Sequence, residues 1–298
     1  MKEYLKSRLV TCLCVSLFFL CGGSLKAQSP KAYALFDNEG KEVSYRQMMD
    51  RLGGCDVVFF GENHNCPIAH WMELNVARTL YERHGDKLVI GEEMMEADNQ
   101  LILDEYMSRL ISYDRFEAEA RLWDNYSTDY YPVVFFAKEH KIPFVATNVP
   151  RRYANAVKND GLACLDALSD EAKRYLPPLP VPFDYDEEKS NEAFGMMQLM
   201  GGKTHGDSRK LAEAQAIKDA TMAWFISKNL KHKFLHINGS YHSDNRGGII
   251  PYLLRYRPGT TVGVITTVRQ ESVDKLDEEN RGRADFYICV PEDMTTTY

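Results

Sequence analysis

Short apolar runs alternate along this chain with longer segments whose apolar residues recur every three or four positions. Continuous apolar runs over 56–60, 87–90, 142–146, 233–237, 261–265 and 286–290 predict strands buried on both faces of a sheet. The first two runs are expected to end at Gly61 and Gly91. Helical spacing predicts helices over 67–84, 98–110, 132–140, 209–230 and 249–256. In the first of these, Pro67 takes the first helical position behind Asn65 as a cap, and Trp71, Leu74, Ala77 and Leu80 repeat at helical spacing. Strand–helix alternation predicts an α/β fold, layered, with a mainly parallel sheet flanked by helices.

The stretch from about 150 to 208 interrupts the alternation. It carries Pro177, Pro178, Pro180 and Pro182, an acidic run, then Met196, Met197 and Met200 before Gly201 and Gly202. No strand pattern occurs there, so the stretch is read as a helical insertion, or lid, on a single domain over 28–298. There are no internal repeats. The tail over 295–298 is expected to be disordered.

The first 27 residues read as a removable signal peptide. Lys2, Lys6 and Arg8 precede an apolar run over 9–21 that is too short to span a bilayer. Leu25-Lys26-Ala27 offers a cleavage site. Cys21 follows Phe18-Phe19-Leu20 and lacks the small residue that normally precedes a lipid-acceptor cysteine, so cleavage after Ala27 is favoured over a lipid anchor at Cys21. The expected location is exported, either periplasmic or associated with an outer membrane. Cleavage would remove four basic residues and one acidic residue, taking the net charge from −7 to −10. So acidic a chain argues against a nucleic-acid partner. Four cysteines would remain, at 55, 66, 164 and 289. Their spacing matches no zinc knuckle; one or two disulfides are compatible with it, and Cys164 and Cys289 read as small buried apolar residues.

Candidate chemistry gathers after three of the strands. Gly61-Glu62-Asn63-His64 follows the first, with His70 six residues past His64. Ligands bind α/β sheets at the carboxyl ends of strands, where loops open into a crevice. One carboxylate and two imidazoles there supply donors for Zn, Mn or Fe, or for activating a water. The second strand leads into Glu92-Glu93; adjacent residues point to opposite sides, so one faces a pocket and needs a charged partner. The third cluster runs His236-Ile237-Asn238-Gly239-Ser240-Tyr241-His242, with Gly239 expected to allow a tight turn that brings His242 over the sheet edge. His236 reads as a core residue of second rank. Gly247-Gly248 opens a helix whose free N–H groups suit a carboxylate or propionate. Within the aromatic stretch over 123–131, one of Tyr126, Tyr130 and Tyr131 is expected to line a pocket. Ser240 and His242 lack the Gly-x-Ser-x-Gly elbow of a nucleophile triad, and neither a Walker loop nor a Gly-x-Gly-x-x-Gly fingerprint is present.

The ordered set resembles the ChaN-like haem-binding proteins, part of a superfamily with the Tiki/TraB metalloproteases and erythromycin esterases. It comprises Gly61 to His64 with His70, Glu93-Met94 with Gln100, Asn148 near Pro150, Gln215 with Asp219 and Met222-Ala223, then Asn238-Gly239, His242 and 248–251. The choice of Glu93 over Glu92 comes from this resemblance. The resemblance implies haem or iron acquisition at the cell envelope, with an outer-membrane transport system as a further partner and a homodimer able to enclose stacked haems. It carries no iron ligand over residue by residue.

Haem requires an axial His, Tyr, Met or Cys, a flat apolar slot, and cations for its propionates. The insertion supplies His205 as first candidate ligand and Tyr185 as second, with Met196 and Met200 to pack and Arg209, beside Lys203, to pair a propionate. The rival reading is a metal-dependent hydrolase, an esterase or peptidase. In it Glu62, His64, Glu93 and His242 are catalytic, and Glu62, His64, His70, Glu93 and His242 supply a divalent metal's ligands.

Overall fold

The computed structural model describes residues 30–186 and 207–298, so Met196, Met200, Lys203 and His205 lie outside the described residues. Seven strands form one sheet: β1 Ala34–Asp37, β2 Val57–Glu62, β3 Leu88–Glu96, β4 Phe144–Asn148, β5 Lys233–Gly239, β6 Val262–Gln270 and β7 Phe286–Pro291. Their order is β1-β7-β6-β2-β5-β3-β4. All neighbours run parallel except β1, which pairs antiparallel with β7. The expected mainly parallel α/β sheet is the architecture found.

Alternation along the buried strands feeds two opposite layers. Val58, Phe60, Ile90, Leu235 and Ile237 pack on one face with the helices Tyr45–Leu52, Pro67–His84, Gln100–Met107 and Tyr131–Glu139. Val57, Phe59, Val89, Phe234 and Val264 pack on the other with Ser208–Asn229 and Ile249–Tyr256. A satellite core joins Val149, Ala154 and Val157 to Ala214, Ile217 and Ala220. It seats the helix Arg151–Asp160, the first element of the interrupting stretch, on the long helix Ser208–Asn229. Through Asp186 that stretch holds helix, 3-10 turns and irregular chain, without a strand.

β2 and β3 do not stop at Gly61 and Gly91. β2 runs on to Glu62 and β3 to Glu96. These glycines mark close contact rather than chain reversal: a Cβ on Gly91 would lie 2.9 Å from the Phe234 ring, and one on Gly61 would lie 3.0 Å from Ser240 Cα. The strand is therefore free to carry Glu92 and Glu93 inside the sheet. The sequence pattern misses β1, a four-residue edge strand, and the helix Tyr45–Leu52, which Ser44 and Gln47 start with a capping box. The cap of the Pro67 helix is Cys66, one residue later than expected. The tail is ordered against the sheet's carboxyl edge, with Thr297 N donating to Asn65 O at 3.1 Å. Cys55, Cys66, Cys164 and Cys289 are all free thiols; Cys289 is buried as expected, whereas Cys164 is only half-buried. Among the described residues no helix is long and apolar enough to cross a membrane.

The packing at Gly91 gives a direct test. Gly91→Ala is expected to lower the unfolding free energy by about 1–3 kcal/mol through overpacking. Gly54→Ala, whose added methyl would meet only Arg51 O at 3.8 Å, should change it by less than about 0.5 kcal/mol. Urea unfolding of both variants, with equal losses, would refute the close-contact account.

Candidate functional site

β2, β5 and β3 are neighbours, so the three sequence clusters reach one edge of the sheet together. Glu62 pairs in register with Gly239, and Glu92 with Ile237. Two buried networks result, and they meet at His64.

The first network forms where β2 passes into the Pro67 helix. Glu62 is buried, and its Oε1 lies 2.6 Å from His64 Nδ1 and accepts from Tyr130 Oη at 2.9 Å. Its Oε2 lies 3.0 Å from His70 Nδ1. His70, on the first turn of the helix, also approaches Glu73 Oε2 at 3.3 Å, His64 O at 3.1 Å and Asp129 Oδ2 at 3.4 Å. Burial alone would raise the Glu62 carboxyl, but the neighbouring imidazoles of His64 and His70 outweigh it and hold the group ionised below the usual carboxylate range. Glu73 goes the other way: burial first, then the Glu62 charge, push it well up.

The second network joins β3 and β5 to the Ser208–Asn229 helix. Glu93 Oε2 accepts from Gly239 N at 2.8 Å, while its Oε1 lies 3.3 Å from His242 Nε2. The other His242 nitrogen, Nδ1, is 2.5 Å from Asp219 Oδ1. Burial opposes a charged His242, but the carboxylates of Glu93 and Asp219 raise it to about 10. For Glu93, burial is overcome chiefly by His242, which keeps the carboxylate ionised. Gly239 does not make a left-handed turn; its φ is −55°. A side chain is excluded there because a Cβ would lie 2.8 Å from His64 Nε2 and 3.5 Å from Glu93 Oε2.

His236 is a core histidine: Thr147 Oγ1 is 2.9 Å from Nε2 and Asn238 Oδ1 is 3.0 Å from Nδ1, and burial lowers it to about 4. Glu92 is buried on the opposite side from Glu93, with neither carboxylate oxygen hydrogen-bonded, and burial followed by the charges of Glu73 and Glu62 raises it well above its ordinary value. Of the tyrosines, Tyr130 and Tyr126 are both buried, Tyr130 as a hydrogen-bond partner of Glu62.

Above the networks lies a cleft of about 1660 Å³, larger than the ~300–1,000 Å³ of common small-ligand pockets. Glu62, His64, Glu93 and His242 all line it; Trp123, Val149, Tyr241, Lys158 and Lys218 add apolar and cationic wall. His64 packs edge-on against Trp123 at 4.8 Å. His70 sits below the wall. The five residues expected to ligate a metal do not close into one cage. Among the described residues, the group whose donor atoms all lie within 4.8 Å is Glu62, His70 and Glu73. Tyr185 and Arg209 stand apart from the cleft lining: Arg209 lies over the Tyr185 ring at 5.5 Å and pairs with Glu213, while Tyr185 Oη meets Ser208 Oγ at 2.9 Å. Sequence reasoning passed over Glu73 and Asp129. Glu73 had a signal, its position three residues beyond His70 on one helix face; Asp129 had none.

The fold and site thus define an α/β protein with a buried acid–histidine site at the carboxyl ends of three adjacent strands. Residues 48–253 match the family described as haem-binding uptake, Tiki superfamily, ChaN, and the chain belongs to that family. Among solved structures, "Cofacial heme binding to ChaN of Campylobacter jejuni" is 18% identical with a TM-score of 0.67, covering 91% of this chain and 99% of that one. An erythromycin esterase variant, EreC, in its open conformation is 11% identical with a TM-score of 0.49, covering 89% and 98%. The type III effector HopBA1 is 13% identical with a TM-score of 0.44, covering 83% and 92%. No curated protein matches the sequence.

The His242 pairings set a pH dependence. A histidine raised from about 6.5 to about 10 stabilises the fold fully below its unfolded value and loses that contribution as pH rises through its folded one. Wild type should lose roughly 3 kcal/mol more than His242→Gln between pH 7 and 10. Denaturant titrations across that window check this, and parallel profiles for the two proteins would contradict it.

Proposed function

We propose that this protein binds haem in the cleft at the strand ends and serves haem or iron uptake at the cell envelope. The observation that carries the reading is the cleft itself, about 1660 Å³ in volume, in a chain of the haem-binding uptake family. Its lining suits the group. Leu122, Trp123, Val149 and Tyr241 offer flat apolar surface, and Lys158 and Lys218 have no carboxylate at ion-pair distance among the described residues. Bound haem would supply an iron centre for transfer; the chain's own residues would seat the ring, pair the propionates and exclude water. His205 remains the first candidate axial ligand; Tyr185, whose hydroxyl meets Ser208 and whose ring lies under Arg209 away from the cleft lining, is not retained as the second. Removal of residues 1–27, export to the periplasm or outer membrane, a homodimer and delivery to an outer-membrane transport system complete the proposal.

A second reading rests on a separate observation: His64 and His242, each held by buried carboxylates, present the cleft with two oriented imidazoles. In that reading the protein is a hydrolase. Glu62 sets His64 as general base, while His242, protonated between Glu93 and Asp219, would stabilise the developing charge on an ester or peptide carbonyl; a divalent metal bound there would have to displace a His242 proton.

Titration of the mature protein with hemin distinguishes the two. The haem reading expects a saturable Soret shift, weakened at least tenfold by Trp123→Glu and altered in form by His205→Ala. An absent or non-saturable shift removes it. Turnover across an esterase and peptidase panel, lost in His64→Ala, would establish the alternative.

A further inference from the structure

Beneath the cleft, Glu62, His70 and Glu73 bring one donor atom each within 4.8 Å of one another. The tautomer argument comes first. His70 Nε2 faces His64 O at 3.1 Å and Asp129 Oδ2 at 3.4 Å, both acceptors, so this nitrogen carries a proton. Asn125 Nδ2 donates to the same two oxygens and fixes that arrangement. Its other nitrogen, Nδ1, therefore turns a lone pair or a second proton toward Glu62 Oε2 at 3.0 Å and Glu73 Oε2 at 3.3 Å. A histidine that donates one N–H to a carbonyl and a carboxylate while offering the other nitrogen is the usual outer-shell arrangement of a metal ligand.

The oxygens supply the second, independent observation. Glu62 Oε2 is close to Nδ1 but receives no aligned hydrogen bond; Glu73 Oε1 and both oxygens of Glu92 are also buried without a partner. Glu62 and Glu73 thus each leave a buried oxygen unsatisfied in a group built round one imidazole, an arrangement that is strongly unfavourable unless protons or a cation occupy it. Donor separations of 3.0 and 3.3 Å approach the roughly 3.3 Å between ligands of a tetrahedral ion with bonds of about 2.0 Å.

We propose that Glu62, His70 and Glu73 bind one divalent transition-metal ion, zinc or manganese, beneath the floor of the cleft. The ion displaces the proton that His70 Nδ1 would otherwise hold between the two carboxylates, and its double charge offsets them. Glu62 is shared: Oε2 goes to the metal and Oε1 to His64 and Tyr130. The ion therefore orients His64 from below and supports the cleft wall. It is separate from the strand-end residues Glu93 and His242, and it needs neither haem binding nor hydrolysis to be present.

The test uses the full mature chain, free of haem. After chelation, the protein is dialysed against Zn²⁺ or Mn²⁺ and analysed for bound metal, with thermal unfolding followed in parallel. One equivalent per chain is expected in wild type and in His242→Ala, with a raised Tm; Glu73→Gln and His70→Asn should each lose the metal and its Tm shift. Wild type without stoichiometric metal and without a Tm change overturns the proposal, even if a variant fails to fold. Unchanged binding by folded Glu73→Gln, or loss of metal in folded His242→Ala, would also overturn it by moving the ion to the strand ends.

Discussion

Burial of carboxylates at the edge of a parallel sheet is the constraint around which this site is organised. Glu62, Glu93 and Asp219 all lie out of solvent, where a lone ionised carboxylate is strongly disfavoured. Histidine meets that demand. His64 and His70 act on Glu62, and His242 stands between Glu93 and Asp219. Each pairing costs desolvation of both partners, so none is a simple gain in stability; what the pairings contribute is a fixed position and charge for each ring.

The rest of the molecule positions those pairs. The register of β2, β5 and β3 brings Glu62 beside Gly239 and places Glu93 within reach of its N–H. Glycine at 61, 91 and 239 lets neighbouring groups approach closer than any side chain would permit. The long helix Ser208–Asn229, packed on the opposite sheet layer, delivers Asp219 to His242. A rigid scaffold thus presents oriented imidazoles to a wide cleft, an arrangement suited to holding a large planar ligand or to moving a proton.

Much of this was legible in the sequence because the buried strands of a parallel sheet are continuous apolar runs, and each of the six expected runs overlaps a strand, with bounds that differ by one or two residues at the start in four of them. The edge strand β1 was passed over although Ala32 to Phe36 is itself an apolar run; of that run only Ala34 to Phe36, with the neighbouring Asp37, pair with β7. Strand ends were misjudged at Gly61 and Gly91, where glycine serves packing across the sheet, a relation between residues far apart in sequence. The site divides the same way. Glu62 and Glu93 lie near the ends of strands and His64 and His242 just beyond them, so all four could be found by position, and they line one cleft. Glu73 and Asp129 come from helices whose faces are set by tertiary packing. Tyr185 and Arg209, chosen for their chemistry alone, meet each other instead of the cleft.

Histidine protonation is therefore the quantity on which the account turns. Nitrogen-15 NMR of the imidazole rings in the ligand-free protein at pH 8 reads it directly. The account requires both ring nitrogens of His242 to be protonated, while His236, buried between Thr147 and Asn238, is neutral. A neutral His242 at that pH would contradict the charge pairing on which the site is built.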